Sequence, residues 1–250
     1  MTRKPARAPN GASTTVKRIN VALQGGGSHG AFTWGVLDRL LEEERIEIDG
    51  LSGTSAGAMN AVVLAEGLVE GGRARAREQL ANFWAAVSRE AVFSPLQRSV
   101  FDAMAPAWGL AANPALMWLD MASQVFSPYQ FNPLNINPLR RLLLAEVDFD
   151  KVRACREMQI FVSATNVHTG RVRVFSGADV TIDAVMASAC LPQLYQAVMI
   201  DAEPYWDGGY MGNPVLHPFF ASCASRDIML VQITPTRRAA TPPTAREITD

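Results

Sequence analysis

Histidine is scarce in this chain. Its 250 residues contain only His29, His168 and His217. Any chemistry that needs a histidine base has few places to find one, and none of the three has a persuasive setting. His29 lies inside a run of glycines, His168 at a predicted hairpin tip, and His217 between two prolines, the least unsuitable of the three. Cysteine is equally sparse. Cys155, Cys190 and Cys223 are odd in number and far apart. That excludes a disulfide framework and a thiolate metal site, and it suits a reducing compartment. Each cysteine reads as a small core residue. No run approaches the ~18 apolar residues that a membrane span requires. The charge is nearly balanced, with 23 basic and 24 acidic residues, so no overall field draws in nucleic acid.

What is present suits one ordinary domain: 48% hydrophobic and 19% charged residues, enough to bury a core at this length. The first eighteen residues carry Arg3, Lys4, Arg7, Lys17 and Arg18 but no apolar centre, which is not a secretory signal. They read as a disordered basic tail. Weak contact with anionic lipid is the sharper alternative. The location expected from all this is cytoplasmic, with peripheral membrane contact as the alternative.

Residues 19–234 read as the domain. Ile19–Leu23 is a short apolar strand, Gln24–Gly30 a glycine loop and Ala31–Glu44 a helix. A second strand near Ile46–Ser52 leads to another helix, Ala56–Leu64, whose small residues Gly57, Ala58 and Ala61 suit close packing on a sheet. Strand-helix-strand-helix order implies an α/β fold with a parallel sheet and right-handed crossovers. Gly71–Ser88 reads as a further helix. Between Phe93 and Pro138, prolines at 95, 106, 114, 128, 133 and 138 rule out one long regular element. Short helices and loops fit there, either as a convoluted part of the core or as a cap over an acyl-chain pocket. Met158–Ala164 and Arg171–Phe175 read as strands around an Asn166–Gly170 turn, Ile182–Cys190 as a helix stopped by Pro192, and Ile228–Ile233 as a late buried strand. In segment 235–250, Thr244 and Glu247 have the spacing of a helix start, so the natural protein is expected to continue.

Three motifs carry chemistry. Gly53-Thr54-Ser55-Ala56-Gly57 is a G-x-S-x-G pentapeptide between a strand and a helix. This pattern suits a serine exposed on a sharp turn that flanking glycines let the backbone make. Gly25-Gly26-Gly27-Ser28-His29-Gly30 has two readings. As G-x-G-x-x-G it matches a dinucleotide fingerprint, with Asp49 about twenty residues on as the ribose acid. Its backbone N–H groups also suit an oxyanion hole, the donors that acyl transfer needs. A nucleophile turn after the second strand has no use in a dinucleotide site, so the pair of motifs favours acyl transfer. The third motif is Asp207-Gly208-Gly209, set among Tyr205, Trp206 and Tyr210. Burial beside aromatic rings raises a carboxylate's pKa toward useful basicity.

In this order the three motifs resemble the patatin-like phospholipase family: a G-G-G-x-x-G oxyanion loop, a G-x-S-x-G nucleophile turn and a D-G-[AG] base. The similarity covers about residues 19–234 and includes Ser188–Pro192 and the Asn213-Pro214 pair. It implies a three-layer α/β/α fold with a central, mostly parallel sheet. It also implies a Ser55–Asp207 dyad without a catalytic histidine, and oxyanion donors from Gly25, Gly26 and Gly27. Gly30, Gly53, Gly57, Gly208 and Gly209 are then motif glycines. The implied activity is hydrolysis of lipid acyl esters, of phospholipase A or lysophospholipase type, without metal or cofactor. Acyl transfer or non-lipid ester hydrolysis on the same dyad is the near alternative, and nucleotide binding by the Gly25–Gly30 loop is the distant one. One departure is His29, where members often carry Arg or Lys. An imidazole there offers less positive charge to a lipid phosphate.

Overall fold

The computed structural model describes residues 16–92, 126–237 and 241. Its first strand, β1, spans Lys17–Leu23 and begins two residues earlier than its apolar run, because the Lys17 N–H bonds to the Arg45 carbonyl. Side chains alternate across a strand. Ile19, Val21 and Leu23 therefore enter the main core, while Ala22 joins Phe161 and Phe219 in a smaller cluster. After the glycine loop come a 3₁₀ turn, Gly27–His29, and helix α1, Gly30–Glu42. Strand β2, Ile46–Gly53, pairs parallel to β1. Helix α2, Ala56–Val92, is interrupted at Gly71 and Gly72, the latter at φ +69°. The two helices expected from sequence are its two halves, and the first runs past Leu64 to the glycine pair. Ala58 and Ala61 are fully buried, as expected of a helix packed on a sheet.

The second half supplies helices α3 (Pro128–Phe131), α4 (Pro138–Glu146) and α5 (Phe149–Ala154). Pro128 and Pro138 each sit in a first helical turn, where the missing N–H costs nothing. Most of the stretch expected to form a cap lies outside the described residues. Strands β3 (Gln159–Asn166) and β4 (Val172–Ser176) form the expected hairpin. Helix α6 (Ile182–Ser188), strands β5 (Val198–Ile200) and β6 (Glu203–Asp207), helix α7 (His217–Ser222) and strand β7 (Ile228–Val231) complete the chain. Helices α1, α2 and α4–α6 contribute to the main core, and α7 covers the smaller cluster with Phe219. Strand β7 departs from expectation. Among the described residues it pairs only with β1, at the sheet's edge, and Leu230 is 47% exposed. An edge strand has no second neighbour to bury its outer side.

β1, β2, β3 and β7 run parallel to one another, β4 and β6 run antiparallel to β3, and β5 runs antiparallel to β6. The registers on β3 position the site. β4 pairs with residues 161–165, opposite both of the other partners. β2 and β6 must therefore share β3's remaining edge. β2 takes its first half and ends with Gly53 level with Val162. β6 takes its second half and ends with Asp207 level with Ala164. Two strands approaching from opposite directions thus end beside Ser163, and the loops after them meet there.

Candidate active site

The nucleophile turn is tight and strained. Ser55 has φ +55°, a left-handed conformation that costs a non-glycine residue about 1–2 kcal/mol. The flanking glycines make room for it. A Cβ on Gly53 would collide with the Gly57 carbonyl, and one on Gly57 with the Leu23 carbonyl. Buried Thr54 holds the turn in place. Its N–H donates to Leu23 O at 3.3 Å, and its hydroxyl lies 2.6 Å from Ser163 Oγ and donates to Gly212 O at 3.0 Å. The Ser55 N–H donates to Ser188 Oγ at 2.9 Å.

Asp207, only 5% exposed, meets this turn from the other strand. Its Oδ1 accepts the Gly209 N–H at 2.7 Å, and the Ser55 side chain stands near enough to the carboxylate to lower its pKa. Burial pushes its pKa up. The Gly209 N–H and the Ser55 hydroxyl, which favour the ionised form, offset part of that rise. Gly208 is glycine for lack of space, since a Cβ there would strike the Ser163 carbonyl.

The glycine loop closes over the same point. A Cβ on Gly25 would lie 2.7 Å from Ser55 Cβ, and one on Gly30 2.7 Å from Ala56 Cβ. The Gly25 N–H donates to Asn213 Oδ1 at 2.6 Å, and Asn213 Nδ2 donates back to Gly25 O at 3.3 Å. Gly25 therefore has no free N–H for a substrate, which narrows the expected donor set of Gly25, Gly26 and Gly27. Gly26 and Gly27 are exposed, and among the described residues their N–H groups donate to no protein acceptor. Two further side chains anchor the loop. Gln24 Oε1 accepts the N–H groups of Ile233 and Thr234 at 2.6 and 2.9 Å. Buried Asn60 donates to Gly30 O at 3.0 Å and to Ala56 O at 3.1 Å, while Trp84 donates to its Oδ1 at 2.8 Å.

The structure thus brings Ser55, Asp207 and the loop from Gly25 to Gly30 together. Of the histidines, only His29 belongs to this loop, and among the described residues none is hydrogen-bonded to Ser55 or Asp207. His29 is exposed, with Nδ1 3.1 Å from Gly26 O; His168 pairs with Glu203 at 3.2 Å; His217 opens α7, exposed. Asp49 is elsewhere. It stands level with Ile19 and Asn20, at the end of β1 away from the glycine loop, where it accepts the Ser225 N–H and pairs with Arg18. The dinucleotide reading loses its ribose acid. Among the described residues, no three metal-ligating side chains cluster.

A model of the patatin-like phospholipase family matches residues 21–220, which hold all three motifs. The chain belongs to the patatin-like phospholipase family. Among solved structures, this patatin-like chain is similar to VipD from Legionella pneumophila, at 15% identity and a TM-score of 0.43, over 85% of this chain and 49% of that one. It is also similar to the heterodimeric ExoU–SpcU complex from the type III secretion system of Pseudomonas aeruginosa, at 18% identity and a TM-score of 0.32, over 71% of this chain and 37% of that one. The patatin-like chain thus spans half or less of the length of these proteins. No curated protein sequence matches it.

Sequence reasoning missed Thr54, Ser188, Asn60 and Asn213 as supports of the site. Ser188 and Asn213 stand in stretches that the resemblance covered, and each could have been questioned as a polar residue beside a motif. Asn60 and Thr54 gave no signal, because their partners are distant in sequence.

Proposed function

We propose that this patatin-like protein hydrolyses lipid acyl esters through an acyl-enzyme on Ser55, with Asp207 as the base. The observation that carries the reading is the meeting, at the adjoining ends of β2 and β6, of a serine on a strained turn and a carboxylate that is buried and raised in pKa. A serine hydroxyl needs a base to become a nucleophile, and among the described residues no histidine is hydrogen-bonded to Ser55.

Asp207 takes the Ser55 proton as Oγ attacks the ester carbonyl carbon. The carbonyl π electrons move onto oxygen, and the N–H groups of Gly26 and Gly27 face the resulting oxyanion. The N-terminus of α2, directly after Ser55, adds its positive end. When the tetrahedral adduct collapses, the C–O bond to the alcohol breaks and Asp207 returns its proton to the leaving oxygen. Water then repeats the cycle on the acyl-enzyme, giving up a proton to Asp207, and Ser55 recovers one as the acid leaves. Gly25 serves this scheme by close approach, not as a donor.

A p-nitrophenyl acyl ester series tests the reading. Ser55→Ala and Asp207→Asn should each lose about 10³-fold or more in turnover. A fluorophosphonate probe should label the wild type and not Ser55→Ala. Full turnover by Ser55→Ala would sink the proposal. The substrate class is read from lipid products, free fatty acid against a transferred acyl group. No helix among the described residues is long and apolar enough to cross a membrane.

A further inference from the structure

We propose that Asn213 is a positioning residue for the oxyanion hole: by holding both polar groups of Gly25, it aims the Gly26 N–H. The inference rests on the Ser55 acyl-enzyme reading and extends it to a residue outside all three motifs.

A peptide unit is planar. Fixing the Gly25 N–H and carbonyl at 2.6 and 3.3 Å fixes the peptide planes on both sides of Gly25. The carbonyl belongs to the same plane as the Gly26 N–H, so the bond from Nδ2 sets that donor's direction. The next plane is held within the loop, since Gly26 O accepts the His29 N–H at 3.1 Å, but among the described residues only Asn213 bonds Gly25 O. Gly26 and Gly27 are exposed, a Cβ on Gly27 would meet nothing within 4 Å, and both residues have glycine's conformational freedom.

Asn213 is itself aimed from both sides. The carbonyl before it, Gly212 O, accepts from Thr54 Oγ1 at 3.0 Å, and Val215 O accepts from Ser52 Oγ at 2.7 Å. Both donors come from the end of β2 and its turn. The segment after Asp207 is thus fastened to the nucleophile turn by its backbone, and it reaches the glycine loop by one side chain. Truncating that side chain leaves the backbone fastening intact, which separates a positioning role from a folding one.

The experiment compares the full chain with Asn213→Ala on a short-chain p-nitrophenyl ester. It also measures inhibition by an alkyl trifluoromethyl ketone, whose hemiketal places an oxyanion where the ester's forms. Misplacing one group by an ångström costs up to about 10²-fold. The expected result is a kcat about 10- to 100-fold lower, with KM changed by less than about threefold. The inhibition constant should rise by the same factor as kcat/KM falls, since the inhibitor mimics the transition state. The melting temperature should stay within about 4 °C of wild type. If Asn213→Ala melts much lower, Asn213→Asp replaces it. That variant keeps the volume and the acceptor for the Gly25 N–H, but loses the donor to Gly25 O. It should show the same paired loss.

Unchanged kcat and inhibition in a folded variant overturns the proposal. So does a lower kcat with unchanged inhibition, or a rise in KM alone, which would make Asn213 a substrate contact. Ser55→Ala runs alongside. If it keeps turnover, the parent reading fails whatever Asn213 does.

Discussion

The nucleophile turn and the glycine loop both depend on glycine, for different reasons. Around Ser55 the reason is space: the backbone of Leu23, Gly57 and Ser163 stands where a Cβ at Gly57, Gly53 or Gly208 would go. In the loop, Gly27 is glycine by conformation, at φ +56°, with open space around it. Gly26 fits neither reason. Its φ is extended, and a Cβ there would meet Ile233 at an ordinary 3.5 Å. What remains is approach from outside. The turn is packed against its own protein, as are Gly25 and Gly30 at the loop's two ends, whereas Gly26 and Gly27 between them stand open.

Three substitutions test this contrast. The largest effect is expected at Gly57→Ala, where the added methyl meets rigid backbone. A loss of about 3 kcal/mol or more is expected, seen as a drop in the urea midpoint, because overpacking against fixed atoms is costly. Gly27→Ala should cost about 1–2 kcal/mol through its left-handed backbone, without a clash. The smallest stability change is expected at Gly26→Ala, within about 0.5 kcal/mol, yet its kcat should fall. If Gly26→Ala left kcat unchanged, the loop's bareness would have no catalytic meaning.

Asp207 adds a comparison in pH. Its folded pKa is raised by burial. The stability it contributes is therefore present below its unfolded pKa and lost as pH rises through the folded one. Asp207→Asn escapes that loss. Relative to wild type, the variant should gain in melting temperature as pH rises from the ordinary aspartate pKa through the raised folded one, while remaining inactive. Wild-type activity should rise with pH through the same raised pKa, because only the ionised carboxylate can accept the Ser55 proton. A pH-independent gap between the two melting curves would contradict the burial argument.

Much of the frame was legible in the sequence because it is local. β1, β2, the β3–β4 hairpin and the helices after the glycine loop and after Ser55 each have their own periodicity and turn residues. Ser55 and Asp207, the proposed nucleophile and base, stood out for the same reason, as glycine-flanked residues at predicted turns. Strands β5 and β6 were not. One has three residues, and the other contains Pro204 and reads as an aromatic run beside a turn. Pairing with β3 and with each other makes them strands, and no local pattern reports that. The same holds for Asn213, whose partner Gly25 is 188 residues away. The exposure of β7 depended on its place in the sheet order, which its apolar composition does not encode.

The shared edge of β3 has a consequence for how such a site is inherited. Ser55 and Asp207 are separated by about 150 residues of chain, but their separation in space is counted along β3, from Val162 to Ala164. The strand acts as a ruler. A slip of one residue in either neighbour would carry its catalytic turn about 3.3 Å along β3 and turn its side chains to the other face. The described helices between α2 and β3 are not on that ruler, so they can lengthen or shorten while the distance between Ser55 and Asp207 stays the same.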